Sequence, residues 1–123
     1  MLTIEQTSKL EKIQVEVCKA FSLPSIPLEL SSKNLRSKYG HYSWKNYRFI
    51  DPITKKSKLF MHSQVITLFS SETRYFNGLV DTLIHELGHH LANVKNGMNC
   101  KHDYRFKQAH YIIKSYCKVK ELY

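Results

Sequence analysis

Apolar residues recur at helical spacing near both ends of the chain and again in its second half, with a stretch of strand-like character between. Leu10, Ile13, Val17 and Phe21 fall three or four apart with lysines and glutamates between them. That pattern predicts an amphipathic helix over about residues 4–22 that packs across a sheet. Thr3 and Gln6 form a T-x-x-Q capping pattern at its start, and Pro24 ends it, because the residue before a proline avoids the helical region. Leu28-Glu29-Leu30 is a short strand candidate. From Gly40 the chain is rich in aromatic and β-branched residues, which predicts strands over 41–50, 58–61 and 64–69, with a turn at Asp51-Pro52 and residues 54–57. Phe76, Val80, Leu83, Ile84, Leu87, Leu91 and Val94 then form a broad helical stripe. Ser70, Ser71 or Thr73 would cap its start, and Gly97 suits a left-handed stop. Phe106, Ala109, His110, Ile113 and Cys117 line one face of a closing helix.

The predicted fold is α+β: an N-terminal helix, a small mainly antiparallel sheet of three or four strands, a central helix and a C-terminal helix. At 123 residues the chain supplies one core and forms one domain, 1–123. No apolar run approaches the ~20 residues of a membrane span. The polar, capped start does not read as a signal peptide. Three cysteines, Cys18, Cys100 and Cys117, are odd in number and unpaired in spacing, which points to reduced thiols inside a cell.

The central helix carries polar groups on a segment otherwise suited to burial. His85-Glu86-Leu87-Gly88-His89 matches H-E-x-x-H. Residues four apart stack on one face of a helix, so the two imidazoles can share one Zn²⁺ at about 2.0–2.1 Å. Glu86 lies one step round the helix, within reach of a water on that metal. Zinc lowers the pKa of such a water to about 7, and the carboxylate can take its proton. A catalytic zinc site has three protein ligands and one open position. His102 and Cys100 are the rival third ligands, both just after the Gly97 turn. Asp103 would cap the last helix or accept a hydrogen bond from a ligand imidazole. Tyr104, Arg105 and His110 are the candidates for stabilising an oxyanion. His41, His62 and His90 read as surface or packing histidines, His90 pointing about 100° away from His89.

His85-Glu86-Leu87-Gly88-His89-His90, a short loop and then Lys101-His102-Asp103-Tyr104-Arg105-Phe106-Lys107 resemble the SprT-like (Spartan) metalloprotease domain. That family follows H-E-x-x-H with an H-G-x-x-F-K-like segment. The resemblance reaches more weakly to Tyr39-Gly40 and residues 65–69 and 79–83, and covers about residues 25–110. It implies a zincin-like zinc endopeptidase with one Zn²⁺ on His85, His89 and His102. It further implies Glu86 as catalytic base, Phe106 as a packing aromatic, and protein substrates attached to DNA. Asp103 stands where the family commonly has Gly, and the four-cysteine zinc ribbon of many members does not follow. Two other readings stay open. An ImmA/IrrE-like regulatory peptidase also favours H-E-L-G-H, but its downstream segment is missing after Asn96. A DNA-binding module with a structural zinc would need a fourth protein ligand, for which Cys100 is the candidate.

Charge adds a partner. Nineteen basic and ten acidic residues give a net charge of +9. Such a surface attracts polyanions without reading sequence. The bases Lys33, Arg36, Lys38, Lys45, Arg48, Lys55, Lys56 and Lys58 precede the zinc helix, interleaved with Tyr39, Tyr42, Trp44 and Tyr47. This interleaving predicts non-specific DNA binding with a preference for single strands. The expected protein is a monomer with no membrane partner, cytoplasmic if bacterial or phage-encoded and nuclear if eukaryotic.

Overall fold

The computed structural model describes residues 2–31, 39–69 and 75–122. Helix α1 spans Ile4–Ala20, strands β1, β2 and β3 span Leu28–Ser31, Gly40–Ile50 and Ser57–Phe69, and helices α2 and α3 span Phe76–Asn96 and Tyr104–Val119. The capping box forms as its sequence requires. The Thr3 hydroxyl accepts from the Gln6 N–H, and the Gln6 side chain accepts from the Thr3 N–H, both at 3.0 Å.

The three strands form one mixed sheet in the order β1-β3-β2. The β2–β3 hairpin is antiparallel, and the short β1 lies parallel to β3. β3 runs back antiparallel to β2 and comes to lie between β2 and β1, pointing the same way as β1. The expected strands over 58–61 and 64–69 are one strand. Their separation in the sequence pattern reflects a bulge between Ser43 and Lys45 of β2, where β3 passes through Ser63 with φ 56. Such a bulge bends the hairpin and increases its twist. Beyond it, Lys45–Ile50 and Ser57–Phe60 are exposed on both faces, so the hairpin projects from the body.

One core joins α1, the near half of the sheet, α2 and α3. Leu10, Ile13 and Val17 meet Tyr42, Ile66 and Leu68, then Leu79, Val80, Leu83, Ile84 and Leu87, and finally Ile113 and Cys117. Two buried polar side chains tie α1 and α2 to the loop before β1. Gln14 donates its amide to the Ile26 carbonyl. His90, fully buried, sits 3.1 Å from the Pro24 carbonyl through Nε2 and 2.8 Å from the Tyr42 hydroxyl through Nδ1. A carbonyl only accepts, so Nε2 carries the proton and Nδ1 accepts from Tyr42. His90 is therefore a packing histidine, and it fixes β2 against α2.

Helix α2 stops at Gly97, whose φ of 65° lies in the left-handed region, as the sequence pattern requires. Its N-cap is Tyr75, which makes no side-chain cap. The expected caps Ser70, Ser71 and Thr73 lie outside the described residues, as do Lys33, Arg36 and Lys38. No helix of the described residues is long and apolar enough to cross a membrane.

Candidate metal centre

His85 and His89 stand one turn apart on α2, and His102 lies in the loop between α2 and α3. One nitrogen from each of the three imidazoles lies within 4.8 Å of the others. His102 Nε2 is 3.3 Å from His85 Nε2. Two nitrogens bound tetrahedrally at about 2.0–2.1 Å from one zinc sit about 3.3 Å apart, so this pair already has the spacing of shared ligands. These three histidines could hold a metal ion.

The sequence places them there by three devices. The i, i+4 spacing sets His85 beside His89. Gly97 turns the chain back, and the amide oxygen of Asn93, on α2, accepts from the Cys100 N–H at 2.8 Å, which pins the returning loop. Asp103 then caps α3, its carboxylate accepting from the N–H groups of Arg105 and Phe106 and from the Arg105 guanidinium. With both of its oxygens engaged in that cap, Asp103 serves α3 rather than a ligand imidazole.

Phe106 is the hub of the cluster. It is buried, stacks on His89 at 4.2 Å and on His110 at 5.6 Å, and meets His85 and His102 edge-on. Gly88 lets α3 come this near. A Cβ at that position would lie 3.2 Å from Phe106 and from His110. With an alanine there, Phe106 and His110 would have to give way by a few tenths of an ångström.

Burial sets the charge state. It pushes His89 down to about 4, with repulsion from His85, His102 and His110 adding to the effect. His85 is lowered by burial and then by His110 and His102. Both imidazoles are thus neutral near pH 7, the form that binds metal. His110 is also lowered, by burial and then Lys114, against an opposing pull from Asp81.

The cluster opens into a cleft of about 870 Å³. Its walls include His85, Glu86 and His89 from α2, Tyr39 to Tyr42 and Trp44 from the start of β2, and His102 from the loop before α3. Glu86 is only 6 % exposed and sits between the two helical imidazoles in the sequence of this wall. His110 also lines the cleft, whereas Tyr104 and Arg105 line a separate, smaller groove between α2 and α3. Cys100 is buried, and its thiol faces the carbonyls of Ala92 and Met98, outside the histidine group. Among the described residues no fourth protein side chain joins the three imidazoles.

Of the basic residues singled out before the zinc helix, the five that are described are absent from the described lining of the cleft. Lys45, Arg48, Lys55, Lys56 and Lys58 are exposed on the projecting hairpin. Among the described residues, the cleft's lysines are Lys101 and Lys114, which the charge pattern did not single out because each stands in a run of mixed residues. Asn93 was also missed. Its signal was its position one further turn along the face that carries His85 and His89.

The model of the SprT-like family matches residues 6–121. No curated protein and no solved structure matches the chain. With a match over nearly its whole length, and with H-E-x-x-H and its downstream histidine folded into one cluster, the chain belongs to the SprT-like family, whose domains have a metallopeptidase-type fold.

Proposed function

We propose that the protein is a zincin-like endopeptidase with a single zinc, acting on proteins attached to DNA. The observation that supports this best is the triangle of imidazoles beside a buried glutamate, in a cleft that the first residues of β2 help to wall. The donor set fits zinc, since three imidazoles leave one position for water or substrate. When bound, the zinc polarises the scissile carbonyl and lowers the pKa of its water to about 7.

The chain's own groups do the rest. Glu86 takes the proton of the attacking water and delivers it to the leaving amine. His110, the oxyanion candidate that lines the cleft, donates to the developing negative charge. Strand β2 is at the edge of the sheet, with β3 as its partner among the described residues. Its first residues line the cleft, so an extended substrate pairs with that edge through backbone hydrogen bonds. The placement of Cys100 gives no support to a closed structural zinc site.

The test is cleavage of an unfolded protein such as casein. Zinc-loaded protein is expected to cut it, to stop in excess chelator, and to recover once the chelator is dialysed away and one equivalent of zinc is restored. Cleavage that survives complete removal of metal would count against the reading.

The DNA part of the reading rests on charge. Between Gly40 and Phe69 there are five bases and one acid, Asp51, whose carboxylate is held in the turn by the N–H groups of Ile53 and Thr54. Exposed Tyr47, Phe49 and Phe60 stand among these bases, and Lys58 lies 5.1 Å over the Phe60 ring. Tyr42, expected to stack on bases, is instead buried against His90. In an anisotropy titration, affinity for single-stranded DNA is expected to fall with salt by a log–log slope of about 0.7 per phosphate contact. Reversing Lys55 and Lys56 to Glu is expected to weaken binding and flatten that slope by about two contacts' worth. Wild-type affinity in that double variant would move the DNA surface off the hairpin.

A further inference from the structure

Beside the His102 loop, the cleft is lined by a set of donors that no described residue uses. Asn93 is 1 % exposed and lines the cleft one turn past His89. Its oxygen accepts from the Cys100 N–H at 2.8 Å, which fixes the orientation of the amide, since the flipped form would set two donors against each other. Its Nδ2 is therefore a true donor, and it is buried without a partner among the described residues. Buried donors are nearly always paired, so an unpaired one on a residue that lines a cleft calls for an acceptor from outside.

Asn99 repeats the arrangement. Its oxygen accepts from the Lys101 N–H at 3.0 Å, leaving the nitrogen end of its amide for a ligand. Lys101 also lines the cleft, and its backbone is held at φ 54, in the left-handed region that few side chains adopt. Such positions occur where surrounding structure imposes them, often at ligand sites. Among the described residues, the acids that line the cleft are Asp81 and Glu86, twelve and seven residues before Asn93 on α2. This part of the cleft thus offers two amide donors and an ammonium, with no carboxylate among its described lining residues.

We propose that Asn93, Asn99 and Lys101 form a subsite for an acidic side chain, aspartate or glutamate, of the peptide that occupies the cleft. Two neutral donors and one cation match the two oxygens and single charge of a carboxylate. The subsite rests on the peptidase reading for its ligand class, and it names a preference that reading leaves open. It makes Asn93 a specificity residue that serves twice, holding the His102 loop through its oxygen and the substrate through its nitrogen.

The experiment measures binding, not turnover. Zinc-loaded Glu86→Gln protein is titrated into labelled peptides that differ only by Glu or Gln at one position, scanned along the peptide. The expected result is a preference for Glu of about tenfold at a single position. Adding Asn93→Asp keeps an acceptor for the Cys100 N–H and removes the donor, so the Glu/Gln ratio should fall to one or below. Lys101→Gln should lower the ratio about threefold. Gln108→Glu, an equal charge change on the exposed side of α3, should leave it unchanged. General attraction of acidic peptides to a basic protein would raise affinity at every position alike, and that result would overturn the subsite. An unchanged ratio in Asn93→Asp would overturn it as well. Glu-selective binding by a protein whose wild type cuts no peptide would sink the peptidase reading and leave the subsite standing.

Discussion

Replacing Glu86 with glutamine is expected to lower proteolysis by about 10²–10⁴-fold while zinc content and folding stay as they are. That range is what a general base contributes. Glutamine fills nearly the same volume in the buried cleft wall, so the packing around a residue only 6 % exposed is kept. It cannot accept the proton of the attacking water. The readouts are initial rates on a protein substrate, metal content by elemental analysis, and the thermal midpoint. Full activity in the purified variant would remove Glu86 from the chemistry.

Replacing His89 with alanine is expected to abolish the response of stability to zinc. A metal present at a hundred times its Kd stabilises the folded state by about 2.7 kcal/mol. For a chain of 123 residues that corresponds to a rise of about 10 °C in Tm. Two imidazoles alone should not hold the ion at that concentration, so the variant's Tm should be the same with and without zinc. The metal-free variant should also be somewhat less stable than the metal-free wild type, because the His89 ring stacks on Phe106 and helps fill the α2–α3 seam. A zinc-induced rise equal to that of the wild type would show that His89 is not a ligand.

The parts of this fold set by local rules were legible in the sequence. The capping box at Thr3, the glycine stop at Gly97 and the i, i+4 histidine pair each depend on a few adjacent residues. The central stripe was also legible, though its last members Leu91 and Val94 are only half-buried near the helix end. What could not be read depends on residues far apart in the chain. The parallel pairing of β1 with β3 carries no local signal, and the bulge made one long strand look like two. Tyr42 looked like an exposed stacking group because aromatic content gives no direction; its partner His90 is 48 residues away. For the same reason the expected roles near His102 divided, with His110 in the cleft and Tyr104 and Arg105 outside it. Helix phase separates them, but only once the seam between α2 and α3 is known. Asp103 took the simpler of its two expected roles, because an N-cap needs only the residues that follow it.

The central claim is a zinc held by His85, His89 and His102 with one position open. X-ray absorption at the zinc edge, on protein loaded with one equivalent of metal, tests it most directly. The expected spectrum has three imidazole nitrogens and one further light atom at about 2.0–2.1 Å, and it loses one imidazole in the His102→Ala variant. A sulfur shell near 2.3 Å would put a cysteine on the metal, and a spectrum unchanged by loss of His102 would contradict the site.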